Sequence, residues 1–252
     1  MRIAIFDDII NALRGKGHPF INRRNWVKRH VQHNTIVVIG DSHTLFFAGN
    51  DHLKGKKLGY CKGIINTADE RVEQFSVIHL GPSLAYNTNK YGTTTRTLEK
   101  IDYLIKHRLL RPGDRVLCCF GEIDIRAHVM KHAGLNSGDY KSVTDTILSN
   151  YLDFLLNLRS KGLKVCCWGP SAQCRANAEH SCRGTQVERN RATRYFIERL
   201  SALGDKNHFG VVSLFEEMVD KDLVTNEAYL LDGFHLNQKA MALLENKEFF
   251  FG

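Results

Sequence analysis

The segment that most constrains the fold is residues 36–42, which read Ile-Val-Val-Ile-Gly-Asp-Ser. Four β-branched apolar residues in a row are typical of a strand buried on both faces, as in a parallel sheet. Gly40 allows a sharp turn where a side chain would clash. Asp41 and Ser42 can cap a following helix, which would place the Ser42 hydroxyl and nearby N–H groups at a positive helix N-terminus. The segment therefore predicts a buried strand that delivers a serine to the edge of a sheet.

A second polar motif lies near the C-terminus, where residues 232–235 read Asp-Gly-Phe-His. A serine hydroxyl is a weak nucleophile unless a base takes its proton and a third group orients that base. His235 and Asp232 are residue types that serve these two roles. Each motif alone is also typical of a turn or a helix cap, but together they indicate nucleophilic catalysis.

With the two motifs in this order, the chain resembles the SGNH or GDSL hydrolases, whose first block is Gly-Asp-Ser and whose last block is Asp-x-x-His. The resemblance implies a three-layer α/β/α fold with a flavodoxin-like sheet, an esterase activity and no cofactor. It also implies Ser42 as nucleophile, His235 as general base and Asp232 as the acid that orients the base. His43 stands at the fourth position of the first block, a common variant in the family.

The two middle blocks of the family give one match and one departure. Residues 75–80 predict a second buried strand, and Gly81 follows it, which implies the Gly81 N–H as an oxyanion donor. Residues 116–120 predict a third strand, followed by Gly-Glu-Ile-Asp where the family has Gly-x-Asn-Asp. Ile123 therefore stands in the place of the oxyanion asparagine, and its side chain cannot donate a hydrogen bond.

The loss of this asparagine matters because one oxyanion donor is typically worth about 3–4 kcal/mol. Either another group replaces it or catalysis is slow. Arg126, His128 and Asn87 are close enough in sequence to reach the same cavity, and we favour Arg126 because a guanidinium offers fixed donors and a full charge. The alternative is an ordinary surface pair between Arg126 and Glu122. Glu122 and Asp124 are candidate catalytic carboxylates, or caps of the next segment.

The rest of the chain alternates apolar runs with amphipathic stretches. Further strands are predicted at residues 163–168 and 210–215, and helices at residues 93–110, 147–158, 187–203 and 236–246. Five strands with helical crossovers predict a parallel sheet. Ligands in such sheets bind at the carboxyl ends of the strands, where Ser42, Gly81 and Glu122 are expected.

The length of 252 residues suits one domain, predicted over residues 34–252, preceded by a basic segment at residues 1–33. That segment holds seven Lys or Arg and two Asp, a net +5 of the chain's +8. The asymmetry predicts an anionic partner, such as an acidic glycan, a membrane surface or another protein, with solvated surface as the alternative. No nucleic-acid partner is expected, because the other basic residues are spread out and form no known binding motif.

The cysteines and the N-terminus bear on location. No signal peptide is predicted, because residues 3–6 form too short an apolar core, and no run approaches the ~20 apolar residues of a membrane span. Seven cysteines, four of them in predicted strands, favour a reducing cytoplasm. Cys174 and Cys182 could pair or bind a metal, but without Cys-x-x-Cys spacing no metal site is expected.

The sequence therefore predicts a serine esterase that cleaves a short acyl ester, such as an O-acetyl group on a carbohydrate. Two alternatives stay open: an O-acyltransferase acting on a glycan with the same triad, and a non-catalytic glycan-binding protein. The loop at residues 172–184, with Arg175, His180 and Arg183, could line the pocket or be solvated surface.

Overall fold

The central strand shows how the sequence builds the core. In the computed structural model, β1 (Ile36–Gly40) sends Val37 and Ile39 to one face of the sheet and Val38 to the other, and every residue of the strand is buried. The structure describes residues 35–48, 65–67, 75–135, 139–175, 182–244 and 247–252. The predicted basic segment at residues 1–33, its boundary at Asn34 and His180 lie outside the described residues.

Six strands form one sheet in the order β2-β3-β1-β4-β5-β6. The other strands are β2 (Ile65–Thr67), β3 (Phe75–His79), β4 (Arg115–Cys119), β5 (Lys164–Trp168) and β6 (Gly210–Val212). All neighbours are parallel except β2, which pairs antiparallel with β3 at one edge. The predicted five-stranded parallel sheet is therefore confirmed, and β2 adds an edge strand that the sequence did not predict.

Helices cover both faces of the sheet. They are α1 (Thr97–Lys106), α2 (Met130–Leu135), α3 (Tyr140–Ser160), α4 (Gln186–Asn207) and α5 (Phe215–Met218). Apolar side chains of α1, α3 and α4 pack on one face. On the other face pack α5 and two 3₁₀ helices, Ser42–Ala48 and Gln238–Leu244. These layers confirm the predicted three-layer α/β/α fold.

Two predicted elements near the C-terminus differ from the structure. The strand predicted at residues 210–215 ends at Val212, because the Ser213 hydroxyl accepts the Phe215 N–H at 3.0 Å and turns the chain into α5. The helix predicted at residues 236–246 is a 3₁₀ helix over Gln238–Leu244. Asn237 precedes it and accepts the Lys239 N–H at 3.0 Å.

Candidate active site

The turn after β1 requires glycine at its first position. The Gly40 backbone lies so close to β4 that a Cβ would be 1.9 Å from the Cys119 carbonyl oxygen. Asp41 then accepts the His43 N–H at 2.9 Å, as a capping residue does. The chain continues as the Ser42–Ala48 helix, so Ser42 lies at the carboxyl end of the central strand.

Aromatic packing fixes this 3₁₀ helix on the sheet. The Phe47 ring lies edge-on to Phe75 at 5.0 Å and to Trp168 at 4.9 Å, measured between ring centroids. The Gln238 side chain donates a hydrogen bond to the Phe46 carbonyl at 3.0 Å. This bond ties the serine-bearing helix to the C-terminal 3₁₀ helix that follows the last block.

The last block forms a tight turn around one carboxylate. Asp232 Oδ1 accepts the N–H groups of Phe234 at 3.2 Å and His235 at 3.0 Å. Gly233 has a φ of +92°, and a Cβ there would contact Cys174 Sγ at 3.3 Å. The turn therefore depends on the Asp232 side chain and on glycine at its second position.

Ser42, His235 and Asp232 lie in one hydrogen-bonded line. His235 Nε2 is 2.7 Å from Ser42 Oγ, and His235 Nδ1 is 2.7 Å from Asp232 Oδ2. Burial alone would raise the pKa of Asp232, but hydrogen bonds from the His235 ring and backbone hold it below its ordinary value. A carboxylate at Nδ1 favours the tautomer with its proton there, which leaves Nε2 to accept the serine proton.

Some backbone N–H groups at this edge have no acceptor in the described part of the chain, and two of them follow the first and second strands of the site. They belong to Ser42 and Gly81. The Leu80 N–H donates to the Gly40 carbonyl at 2.7 Å, which brings Gly81 next to the first block. Gly81 has a φ of +100°, a conformation that glycine adopts without strain. Unpaired N–H groups in this position can bind an oxyanion.

The third block connects the second block to the sheet. Gly121 has a φ of +113°, and Ile123 leaves the block without a side-chain donor. Asp124 is fully buried and accepts the N–H groups of Ala85 at 2.7 Å and Tyr86 at 3.1 Å. Burial raises the pKa of Asp124 to about 7, although these N–H bonds act in the opposite direction. Asp124 therefore holds the segment after Gly81, a role that the sequence did not predict.

A second histidine–carboxylate pair lies beside the first. His43 Nε2 is 3.0 Å from Glu122 Oε2, and Arg126 Nε donates to Glu122 Oε1 at 2.8 Å. The side chains of His43, Glu122 and Arg126 are 7%, 3% and 17% exposed. The His43 ring centroid is 4.7 Å from that of His235, and the Arg126 guanidinium is 4.6 Å from the Phe234 ring. The sequence left open an ordinary surface pair between Glu122 and Arg126. The pair is present, but it is largely buried.

The charges of this group are mutually stabilised. Burial alone would raise the pKa of Glu122, but His43 and Arg126 lower it to about 2. Burial alone would lower the pKa of His43, but Glu122 and Asp41 raise it above its ordinary value. The pKa of Asp41 is raised to about 6 by burial, against the influence of His43. Both shifts in the His43–Glu122 pair favour its ionised form.

His79, at the end of β3, is a further buried imidazole at this edge. Among the described residues neither of its ring nitrogens has a hydrogen-bond partner, and burial together with nearby Lys100 lowers its pKa to about 4. His79 is therefore neutral at physiological pH.

The other sequence candidates, Asn87 and His128, line a separate cleft of about 480 Å³ that we call the Tyr86 cleft. The residues around it do not include Ser42. Its polar lining consists of Tyr86, Asn87, His128, His132, Ser142 and Thr146, with buried Asp124 beneath. The cleft lies between the segments that follow the second and third blocks.

The predicted cysteine loop contains no disulfide between Cys174 and Cys182. Fully buried Arg189 donates to the carbonyls of Cys174 and Gly184, both at 2.6 Å, and so holds the two ends of this loop. Within the described ranges, no three His, Cys, Asp or Glu side chains are grouped as metal ligands would be. None of the helices in those ranges has the length and apolar character to cross a bilayer.

Comparison with solved structures identifies the fold. A protein from Bacteroides fragilis described as an acylhydrolase matches with a TM-score of 0.55 and 16% identity, over 84% of this chain and 83% of that one. A GDSL-like lipase from Bacteroides thetaiotaomicron matches with a TM-score of 0.52 and 14% identity, over 88% and 92%. Neither a protein-family model nor a curated protein matches the sequence. The chain therefore shares the fold of these two proteins.

Proposed function

We propose that this chain is a serine esterase of the SGNH or GDSL type, with Ser42 as nucleophile, His235 as general base and Asp232 as the orienting acid. The observation that carries the proposal is the continuous pair of 2.7 Å contacts from Ser42 Oγ through His235 to Asp232. These distances lie within the range of working nucleophile–base and base–orienter contacts.

The reaction follows from this arrangement. His235 Nε2 takes the Ser42 proton as Oγ attacks the ester carbonyl, and the electron pair of the carbonyl moves onto its oxygen. When that tetrahedral intermediate collapses, the bond to the alcohol breaks and His235 returns the proton to the leaving oxygen. Water then attacks the acyl-enzyme with His235 again as base, which releases the acid and restores Ser42.

The oxyanion is proposed to bind to the N–H groups of Ser42 and Gly81, for which the described residues provide no acceptor. Because Ile123 adds no third donor, transition-state stabilisation is expected to be about 3–4 kcal/mol weaker than in relatives with asparagine. The pairing of Arg126 with Glu122 favours an indirect role for Arg126 over direct contact with the oxyanion.

For the substrate, we propose a short acyl ester, such as an O-acetyl group, on a carbohydrate. The Tyr86 cleft is the proposed place for the sugar, because it lies beside the second and third blocks and offers amide, imidazole and hydroxyl groups next to Leu84, Val143 and Ile147. Tyr86 is 38% exposed and lines the cleft, and Lys90 Nζ lies 3.7 Å from the centroid of its ring. Replacing Tyr86 by alanine should lower kcat/KM for an O-acetylated sugar more than for p-nitrophenyl acetate.

The deciding experiment compares wild type with Ser42→Ala. Hydrolysis of p-nitrophenyl acetate is followed together with intact-mass detection of a fluorophosphonate adduct. Turnover and a single adduct that both disappear in the variant are expected. If the wild type shows neither signal, the proposal is contradicted and a non-catalytic, glycan-binding protein is favoured. Transfer of the acyl group to an added sugar instead of water would identify an acyltransferase.

A further inference from the structure

Glu122 binds the side chains of His43 and Arg126 at once inside the protein. Its Oε2 lies 3.0 Å from His43 Nε2, and its Oε1 accepts the Arg126 Nε hydrogen bond at 2.8 Å. Desolvating charged groups is costly, and a buried ion pair is often no more stabilising than apolar residues of similar size. Stability alone is therefore a weak explanation for this buried group.

The side chains of His43 and Arg126 also contact the turn that carries the proposed general base. The His43 ring lies against the His235 ring, with centroids 4.7 Å apart and planes tilted by 34°. The Arg126 guanidinium lies 4.6 Å from the ring of Phe234, the residue before His235. One carboxylate in the third block is thereby connected through two side chains to the last block.

We propose that Glu122 is a positioning residue that, through His43 and Arg126, holds the His235 imidazole in line with Ser42. This inference rests on the proposed function, because it assigns the support of the base in that reaction. Asp232 fixes the imidazole at Nδ1, and the His43 and Arg126 contacts restrict the ring face and the turn. A displacement of about 1 Å in such a group can cost roughly 100-fold in rate.

The charges that surround His43 agree with this role. The titratable or charged groups that interact with it are Glu122, Asp41, Arg126, His235 and His79. The carboxylates raise the pKa of His43, and the two cations lower the pKa of Glu122. Both shifts favour the ionised form of the His43–Glu122 pair, which agrees with a positioning role that requires no proton transfer.

The test uses Glu122→Gln and His43→Gln, singly and together, with p-nitrophenyl acetate as substrate. Each single variant should lower kcat roughly 10- to 100-fold with little change in KM, because the base is misplaced and substrate binding is not. If the residues act as one unit, the double variant should be no slower than the slower single variant. The rate of fluorophosphonate labelling of Ser42 should fall in parallel.

Asp145→Asn is the matched control. Asp145 also binds two groups with its two oxygens, Tyr195 Oη at 3.0 Å and Arg199 Nε at 3.0 Å, but it links α3 to α4 with its side chain 42% exposed. This variant should keep the wild-type kcat. Thermal unfolding of every variant separates loss of fold from loss of rate.

Three results would overturn the inference: a kcat within twofold of wild type in both single variants, a rise in KM in place of a fall in kcat, or fully additive losses in the double variant. If Glu122→Gln does not fold, His43→Gln and Arg126→Gln decide by the same kcat and KM criteria, because each leaves Glu122 one partner. Failure of the proposed function is recognised separately, since Ser42→Ala would then retain the wild-type turnover.

Discussion

The Asp232–His235 pair and the Glu122–His43 pair lie side by side, with a carboxylate 2.7 Å from one imidazole and 3.0 Å from the other. The Asp232 side chain is 38% exposed and that of His235 18%, whereas Glu122 and His43 are almost fully buried. His235 presents its second nitrogen to Ser42. The same two functional groups therefore occur once at an accessible nucleophile and once in a buried unit in which Glu122 also binds Arg126.

The difference separates the two demands that acyl transfer places on a protein. A general base must change its charge during each turnover, which favours partial solvent access and a free nitrogen next to the nucleophile. A positioning group must keep its charge and its geometry, which favours burial with all partners satisfied. We therefore expect substitutions in the two pairs to differ in their effects on activity and on stability.

The largest effect is expected at the accessible pair. His235→Ala should lower kcat roughly 10⁴-fold or more. Asp232→Asn should lower kcat by a factor that is about 10 to 100 times smaller, because this variant keeps both the nucleophile and the base. The measurement is p-nitrophenyl acetate turnover corrected for the Ser42→Ala background. A greater loss in His43→Ala than in His235→Ala would assign the base to the buried pair.

The next effect concerns folding stability and should rank the pairs in the opposite order. Glu122→Ala removes the buried carboxylate that binds both His43 and Arg126, so the free energy of unfolding should fall by about 3–5 kcal/mol. Asp232→Ala removes an exposed cap-like carboxylate and should cost about 1 kcal/mol. Urea unfolding monitored by far-UV circular dichroism gives both values, and equal losses would mean that burial does not distinguish the pairs.

The buried pair should also leave a pH signature in stability. The pKa of Glu122 falls from 4.5 to about 2, so its contribution is complete above pH 4.5 and is lost as the pH falls toward 2. The pKa of His43 is raised above 6.5, so its contribution is complete below pH 6.5 and is lost as the pH rises through the raised value. The stability difference between wild type and His43→Gln should therefore be greatest between pH 4.5 and 6.5.

Asp41 titrates in the same window, with a pKa raised from 3.8 to about 6, and it faces the same imidazole. The comparison is best made in an Asp41→Asn background as well as in wild type. A difference that stays constant from pH 3 to pH 9 in both backgrounds would contradict the ionised state of the buried pair.

The accessible pair could be predicted from sequence because its signals are local. A run of β-branched residues that ends at Gly40 predicts strand β1. Two short motifs, at residues 40–42 and 232–235, contain the three residues of the proposed triad. Five apolar runs predicted the parallel sheet, and the structure confirms it. Strand β2 could not be predicted, because three residues reading Ile-Asn-Thr show no usable periodicity.

The buried pair was beyond sequence reasoning because it is a long-range contact without a motif. His43 and Glu122 are 79 residues apart, and burial of both side chains arises only when β1 and β4 are paired. The single available signal was a histidine after the serine and a glutamate after Gly121. Similarly, the strand predicted at residues 210–215 is longer than β6. Ser213 ends β6 by accepting the Phe215 N–H, and in the sequence it cannot be distinguished from an ordinary strand residue.

The smallest effect is expected at Arg126, which joins the two pairs. Arg126→Lys keeps the positive charge beside Glu122 but loses the planar guanidinium over Phe234, a cation–π contact of about 0.5–2 kcal/mol. Since about 1.4 kcal/mol corresponds to tenfold in rate, kcat should fall by roughly two- to thirtyfold, and by more in Arg126→Ala. Steady-state kinetics of both variants make the measurement. If Arg126→Lys and Arg126→Ala lose equally, the stacked guanidinium and not its charge connects Glu122 to the catalytic turn; if neither loses activity, His43 alone makes that connection.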